Sequence, residues 1–195
     1  MSRQKAEILF AQFLVECGLD PKTDPHLHDT PVRFTKMLCE QTRHYGKTPS
    51  FTESATYDGT KQIKATLFDA KGTDELVLVK DIAFSSICAH HLSPFMGRAH
   101  VGYLPNKKII GISKLARIVD YFCLRTQTQE MLTEEIATCL LEITKARFVG
   151  IVMFAEHTCM SCRGVHKSGA TTVTSKFLPP NQTDTKQEFL KLALA

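Results

Sequence analysis

The spacing of hydrophobic residues predicts two helices in the N-terminal part of the chain. Apolar residues recur with the helical period over residues 3–17, and the pattern ends at Gly18. A second helix is predicted to begin at Thr30 and Pro31, because threonine can cap a helix and proline is tolerated at the first helical position. It should extend to about residue 46. We therefore assign residues 1–60 to an N-terminal helical segment.

The pattern changes to that of β-strands from residue 62 onwards. Residues 62–69 and 75–85 alternate between apolar and polar positions on either side of Lys71 and Gly72, which predicts two antiparallel strands. Further strands are predicted over residues 97–103, 148–155 and 171–178. The second of these three is almost entirely apolar, so it should be covered on both faces.

Three more helices are predicted in this part of the chain. They begin at Ser113, which can act as a cap, near Thr128, and at Thr183 close to the C-terminus. Because these helices are grouped rather than strictly alternating with strands, the predicted fold class is α+β. We assign residues 61–195 to a single domain.

Length and composition narrow the possible classes of protein. The chain has 195 residues, of which 43% are hydrophobic and 23% are charged, a mixture typical of a globular protein. Apolar runs fall far short of the roughly 20 residues needed to cross a bilayer, and the N-terminus lacks the layout of a signal peptide. A net charge of +4 is too small to indicate nucleic-acid binding by itself. These features predict a soluble, cytoplasmic protein with no nucleic-acid or membrane partner.

The chain contains seven cysteines, which is a high count for its length. An odd number with uneven spacing and no export signal argues against a disulfide framework. Cys17, Cys39, Cys123 and Cys139 lie within apolar helical patterns and are predicted to be small buried hydrophobic residues. The other three lie close to histidines and are candidate metal ligands.

Two short Cys/His clusters directly follow predicted strands. The first contains Cys88 and His91, and the second, about 70 positions later, contains Cys159 and Cys162. Zinc prefers thiolate sulfur and imidazole nitrogen, and neighbouring strands would bring the two clusters together. All four residues would form a closed structural site, whereas three ligands without Cys162 would leave a position open for catalysis.

The spacing leaves both alternatives open, and two further histidines favour catalysis. His90 and His157 flank the candidate ligands, and a structural site has no use for titratable side chains near neutral pH. The alternative interpretation of these histidines is that they are ordinary polar loop residues.

A series of motifs occurs in unbroken order between about residue 25 and residue 192. The motifs are Asp-Thr-Pro-Val-Arg at 29–33, Glu-Leu-Val-Leu-Val-Lys-Asp-Ile at 75–82, Ser-Ile-Cys-Ala-His-His-Leu-Ser-Pro-Phe at 86–95, Ile-Gly-Ile-Ser-Lys-Leu-Ala-Arg-Ile-Val at 110–119, Gln-Thr-Gln-Glu at 127–130, His-Thr-Cys-Met-Ser-Cys-Arg-Gly-Val at 157–165 and Glu-Phe-Leu at 188–190. Together they resemble GTP cyclohydrolase I.

This resemblance implies a specific fold and assembly. The family's tunnelling fold, or T-fold, is a four-stranded antiparallel sheet with helices on one face. Its subunits join edge to edge into rings, which pairs each open sheet edge with that of a neighbour. The implied assembly is a homo-oligomer, a decamer of two stacked pentamers with active sites at subunit interfaces.

The resemblance also assigns the metal and the base-binding residues. Cys88, His91 and Cys159 correspond to the three zinc ligands, and no ligand corresponds to Cys162, so the resemblance favours the open, catalytic site. Gln129 and Glu130 correspond to the residues that read guanine. A carboxylate suits this role, because it can accept two parallel hydrogen bonds from the N1–H and 2-amino groups.

The residues implied in binding the triphosphate are all basic. They are Lys114, Arg117 and Arg163, with Arg33 and Lys36 reaching in from a neighbouring subunit. Lys114 and Arg117 are three positions apart near a predicted helix N-terminus, so they share one helical face at a place that favours anions.

The implied reaction converts GTP and water to 7,8-dihydroneopterin triphosphate and formate, the first step of folate and pterin synthesis. Zinc would activate water for attack at C8 while His157 protonates N7. His90 would assist proton transfer or position the substrate, and Ser113 is a candidate for the later ribose rearrangement and ring closure.

One motif departs from the family at Ala89, where GTP cyclohydrolase I usually has glutamate. A carboxylate there could orient a histidine or relay a proton, and losing such a partner typically costs about 10–100-fold in metal affinity or activity. An alternative function is therefore a non-catalytic or altered-substrate paralogue that binds a purine or pterin. A protein with a structural zinc that also uses Cys162 is a third alternative.

Overall fold

The structure is a computed structural model that describes residues 2–47, 50–52, 62–64 and 67–195, with only the backbone described at 50–52 and 62–64. The chain divides into two compact units, residues 1–43 and 44–195. The domain boundary predicted at residues 60 and 61 lies outside the described residues and stays a prediction. Among the residues described, no helix combines the length and apolar character needed to cross a membrane.

The N-terminal unit contains the two predicted helices, α1 (Arg3–Glu16) and α2 (Thr30–Gln41). They pack through the rings of Phe10 and Phe34, whose centroids lie 4.2 Å apart. α2 ends earlier than predicted, and residues 42–46 form turns. The hydroxyl of Thr42 donates to the Leu38 carbonyl oxygen at 2.7 Å, which closes the last helical turn.

The second unit is built on one main sheet. Its strands are β4 (Val77–Cys88), β5 (Pro94–Leu104), β7 (Thr126–Gln127), β8 (Phe148–His157) and β9 (Thr171–Leu178). They lie in the order β7-β4-β5-β8-β9; the four long strands pair antiparallel, and β7 runs parallel to β4. This arrangement confirms the α+β class and the four-stranded antiparallel sheet.

Short strands form two separate pairs outside this sheet. They are β1 (Ser50–Thr52) with β2 (Gln62–Lys64), and β3 (Leu67–Asp69) with β6 (Lys108–Ile110). In the described part of the chain, residues 62–69 do not pair with the strand that follows Lys71 and Gly72, so the antiparallel arrangement predicted for these two segments is wrong. Alternation of apolar and polar residues indicates that a strand forms, but it does not identify the partner of that strand.

Helices cover both faces of the main sheet. α3 (Ile112–Cys123) and α4 (Gln129–Thr144) lie on one face, where they enclose Ile151 and Met153 of β8. α6 (Thr183–Leu194) lies on the other face, where its Phe189 packs with Val152. β8 is therefore covered on both sides, as predicted from its apolar sequence. The resemblance implies helices on one face of the sheet only. The structure has α3 and α4 on that face and, in addition, α6 on the opposite face.

The starts of α3 and α4 differ in how they are capped. α4 follows Thr128, whose side chain accepts a hydrogen bond from the Met131 N–H at 3.3 Å. α3 follows Gly111, and Ser113 is its second residue, so the predicted cap at Ser113 is wrong. β6 ends at Ile110, which leaves Gly111 to make the turn into the helix.

The burial predicted for four cysteines is correct for two of them. Cys123 and Cys139 are buried on α3 and α4, whereas Cys17 and Cys39 in the N-terminal unit are exposed. Apolar neighbours in the sequence do not determine which side of a helix a given residue occupies, and this explains the two errors.

A β-bulge in β4 keeps apolar side chains on the face covered by α3 and α4. The pairing of β4 with β5 shifts by one residue between Val79 and Ile82. Asp81 within the bulge has a φ of 57°, and its N–H donates to Nδ1 of His100 at 3.3 Å. Because the bulge inserts one residue, Val79 and Ile82 both contribute to the same core.

We predict that His100→Gln makes the folded state less sensitive to acid. Burial lowers the pKa of His100; Asp81 acts in the opposite direction and Lys80 in the same direction as burial. The unfolded chain therefore binds this proton more tightly, and stability falls as the pH drops through about 6.5. Glutamine can still accept the Asp81 N–H but does not titrate. In urea unfolding between about pH 7.5 and about pH 5.5, wild-type stability should fall more steeply than that of the variant, and equal slopes would contradict the prediction.

Candidate metal centre and active site

The two Cys/His clusters converge because their strands flank the same neighbour. β4 ends at Cys88 and β8 ends at His157, and β5 lies between these two strands. The N–H of Cys88 donates to the Ser93 carbonyl oxygen at 2.9 Å, and Thr158 Oγ1 donates to that of Pro94 at 2.6 Å. These bonds tie the end of each ligand-bearing strand to the start of β5.

Cys88, His91 and Cys159 form a group that could hold a metal ion. One side-chain atom of each residue lies within 4.8 Å of those of the other two. Cys88 is buried, Cys159 on the short helix α5 (Thr158–Ser161) is partly buried, and His91 is exposed. Two thiols and an imidazole suit zinc, and three protein ligands leave one coordination position open.

Cys162 does not belong to this group of potential ligands among the residues described. It is exposed, and its thiol donates to the Thr158 carbonyl oxygen at 2.7 Å. The closed site predicted as one alternative would need Cys162 as its fourth ligand. The observed arrangement therefore favours the open site.

Ser93 lies beside the metal group and was not identified from the sequence. Its hydroxyl oxygen is buried near Cys159 and makes no hydrogen bond to the described residues, which leaves it able to donate to a Cys159 thiolate. Burial is the main effect that raises the pKa of Cys159, and the adjacent Cys88 thiol raises it further, whereas the Ser93 hydroxyl lowers it. Adjacent thiols resist ionising together unless a cation is bound, so this environment fits a metal site. The available signal was the position of Ser93 directly before β5, between the two ligand-bearing strands.

The imidazole of His157 is held between Phe95 and Gln129. Its ring stacks on Phe95 with the centroids 4.7 Å apart and the planes 2° apart, and its Nε2 lies 2.8 Å from Gln129 Oε1. Burial lowers the pKa of His157, and the carboxylate of Glu130 acts in the opposite direction. A neutral imidazole must acquire a proton before it can donate one, so the role of His157 as an acid at N7 stays a prediction.

Gln129 and Glu130 are consecutive residues at the start of α4, but they differ in exposure. Gln129 is 1% exposed, and its amide nitrogen lies 3.1 Å from three oxygens, those of Met153, Thr172 and Thr174, which share its two hydrogens. Glu130 is exposed and lines an open cleft of about 320 Å³. These contacts use the Gln129 side chain within the fold and argue against its predicted contact with guanine, whereas the Glu130 carboxylate is accessible.

His90 and Arg163 lie at the same end of the sheet as the metal group. His90 is exposed, and its Nδ1 lies 3.9 Å from the Cys88 sulfur. Arg163 is exposed in the segment that directly follows α5. Both side chains could therefore contact a molecule bound over the metal group.

Ser113 and Lys114 lie at the far end of α3 from the metal group of the same chain. The opposite end of α3 is beside the metal end of β4, because Ser86 Oγ donates to the Cys123 carbonyl oxygen at 2.8 Å. A helix rises about 1.5 Å per residue, which places Ser113 about 15 Å further along α3. Ser113 and Lys114 are therefore not close to the metal group of their own chain. Arg117 lies one helical turn after them on α3.

Arg33 and Lys36 lie on α2 in the N-terminal unit. Arg33 forms an ion pair with Asp29 at 3.0 Å, and Lys36 approaches Glu40 at 4.0 Å. Their predicted contribution to triphosphate binding from a neighbouring subunit stays a prediction.

Comparison with known proteins agrees with the motifs. A sequence profile of GTP cyclohydrolase I matches residues 6–194 of the chain. A protein named GTP cyclohydrolase 1 from Coxiella burnetii is 45% identical over 182 residues, which cover 92% of each chain. Proteins of the same name from Chromohalobacter salexigens and Brucella anthropi are 40% and 39% identical over 94% of this chain, and the matches cover 94% and 81% of their own lengths. The chain therefore belongs to the GTP cyclohydrolase I family.

Proposed function

We propose that the protein is a zinc-dependent GTP cyclohydrolase I, which converts GTP and water to 7,8-dihydroneopterin triphosphate and formate. The observation that carries this proposal is the open Cys88–His91–Cys159 group next to His157 and Glu130. Three ligands with one open position are typical of catalytic rather than structural zinc sites. Membership of the GTP cyclohydrolase I family supports the same conclusion.

Cys88, His91 and Cys159 would hold the zinc ion. A bound zinc ion would act as a Lewis acid and make water a usable nucleophile near neutral pH for attack at C8 of the purine. The chain's own contribution is to hold the ligands in place. One backbone hydrogen bond, from Cys88, and one side-chain hydrogen bond, from Thr158, tie the two ligand-bearing segments to the start of β5. The buried hydroxyl of Ser93 would help to stabilise the Cys159 thiolate.

Glu130 would read the guanine base from the open cleft beside it. Its carboxylate can accept hydrogen bonds from both the N1–H and the 2-amino group, and few other purines present that pair of donors. Its negative charge also raises the pKa of His157, against the effect of burial. This charge would help His157 to take up the proton that it then transfers to N7, with His90 assisting at the exposed side of the site.

The triphosphate would contact Arg163 from the same chain and Lys114 and Arg117 from a neighbouring chain, whose Ser113 would serve the later ribose rearrangement and ring closure. The position of Ser113 and Lys114 at the far end of α3 supports a site shared between subunits, because one chain does not bring all of these residues together. We therefore propose a homo-oligomer, a decamer of two pentameric rings, with active sites at the interfaces. Arg33 and Lys36 would reach the same site from another subunit.

The experiment is to incubate the zinc-loaded protein with GTP and to follow formate release and the fluorescence of the oxidised pterin. We expect both products in equal amounts, and we expect Glu130→Gln to raise KM for GTP, because an amide cannot accept both guanine donors. GTP bound by the zinc-loaded protein without any product would reject the cyclohydrolase proposal. That result would instead favour the altered-substrate paralogue suggested by Ala89, whose side chain offers no carboxylate.

A further inference from the structure

We infer that Gln129 is a positioning residue that fixes His157 as the Nε2–H tautomer and holds its imidazole ring in one orientation. This inference rests on the proposed function and replaces the expected contact between the Gln129 side chain and guanine. It depends on the hydrogen bonds around one buried carboxamide and on the stacking of one imidazole ring.

The orientation of the Gln129 carboxamide is determined by its partners. Its nitrogen lies 3.1 Å from the backbone carbonyl oxygens of Met153 and Thr172, and at the same distance from the Thr174 hydroxyl. Carbonyl oxygens only accept hydrogen bonds, so the donor end of the amide has to face them. The amide oxygen must then face His157, at 2.8 Å from Nε2.

This orientation fixes the proton on the imidazole. An amide oxygen can only accept, so the Nε2 of His157 must carry the hydrogen that is shared with Gln129. In the neutral ring the second nitrogen, Nδ1, then has the lone pair and can only accept a hydrogen bond. The stack on fully buried Phe95, with the ring planes 2° apart, determines the plane of the imidazole. One contact thus sets the plane of the ring and the other sets its rotation within that plane.

Two consecutive residues consequently have different tasks. Gln129 is 1% exposed and has its carboxamide engaged at both ends. Its backbone oxygen also accepts a bond from Thr133 Oγ1 at 2.7 Å, which anchors this first turn of α4. Glu130 is exposed on the cleft and is accessible to a base. Recognition of guanine is therefore left to Glu130, and Gln129 acts on the reaction through His157.

The test compares Gln129→Met with Glu130→Gln in the zinc-loaded protein. Methionine matches glutamine in length but cannot accept the Nε2 hydrogen. We expect Gln129→Met to lower kcat about 10–100-fold while KM for GTP stays within about twofold, as for the loss of a residue that orients a catalytic group. Glu130→Gln should instead raise KM. A raised KM with unchanged kcat in Gln129→Met would overturn the inference, because that pattern indicates lost binding of the base.

A second measurement reads the tautomer directly and does not depend on turnover. Solid-state ¹⁵N spectra of histidine-labelled protein, with His157→Asn to identify the signal, should show a protonated Nε2 and an unprotonated Nδ1 in the wild type. Gln129→Met should show a mixture of the two tautomers. Gln127→Met is the matched control: Gln127 is also buried, but it bonds Ser86 and the Phe122 carbonyl, so the His157 signal should not change.

The outcomes separate this inference from the proposed function. An unprotonated Nε2 in the wild type would overturn the inference even if GTP is turned over at full rate. A wild type that carries the Nε2–H tautomer but releases no formate would support the positioning role and reject the cyclohydrolase activity. Should Gln129→Met fail to fold, the wild-type spectrum alone decides the tautomer.

Discussion

Replacement of Cys159 by alanine is expected to remove both the metal and the turnover of GTP. Cys159 supplies one of only three ligand atoms in the group, which lie within 4.8 Å of one another. With two protein ligands left, the site falls below the three that catalytic zinc sites use. We expect zinc to fall from about one ion per chain to a trace, and kcat/KM to fall by on the order of 1000-fold or more. Metal analysis after gel filtration and formate release would measure the two effects.

Cys162→Ser is the matched control for this loss. Cys162 is also a cysteine of the same segment, but its thiol bonds the Thr158 carbonyl oxygen and is not part of the ligand group. Serine can donate the same hydrogen bond, so zinc content and turnover should stay near the wild-type values. Loss of zinc and unfolding in Cys162→Ser would instead indicate a closed structural site and would reject the catalytic interpretation.

Gly97→Ala is expected to destabilise the protein more than the same substitution at any other glycine of the main sheet. Gly97 lies near the start of β5, where it pairs with Phe84 of β4 on one side and Ala155 of β8 on the other. An added Cβ would overlap the Phe154 carbonyl oxygen and would lie 2.8 Å from the Ala155 Cα, and these backbone atoms cannot move aside as a side chain could. We expect a loss of about 3 kcal/mol or more in the free energy of unfolding, measured by urea denaturation.

Gly111→Ala is the control for the extra methyl group. A Cβ at Gly111 would meet only the Lys114 side chain, at 3.7 Å, and the φ of −58° suits any residue. Its cost should stay below about 1 kcal/mol, because that is the typical loss when alanine replaces the best N-cap residues and glycine is a slightly weaker cap than those. Equal losses in both variants would show that crowding between β5 and β8 is not the cause. Since β8 leads directly to His157, we also expect Gly97→Ala to lower zinc affinity.

Local patterns in the sequence determined most of the secondary structure. The alternation over residues 171–178 predicts β9 with its observed bounds, and the apolar run at 148–155 predicts a strand that α3, α4 and α6 do cover on both faces. These predictions succeed because the period of apolar residues reflects which side of an element is buried. The same signal could not give the partner of β3, because pairing with β6 joins segments about 40 positions apart.

The chemistry of the candidate site was also visible in the sequence, since only a few residue types bind zinc. Cys88, His91 and Cys159 could be named as ligands from their types and motifs, but two ligand sets remained possible on spacing alone. The geometry that separates them is tertiary. β5 lies between β4 and β8, and this arrangement brings three ligand atoms together. The Cys162 thiol instead bonds the carbonyl oxygen of Thr158 at the start of α5.

The sequence by itself thus determined the elements, the fold class and the residue types of the site, because each of these follows from local periodicity or from side-chain chemistry. Only the tertiary structure decided what adjacent polar residues do. Gln129 and Glu130 are neighbours of similar size, yet one is buried against His157 and the other faces an open cleft. Their roles differ because a helix directs consecutive side chains about 100° apart, and only the packing of α4 against β8 and β9 decides which direction is the interior.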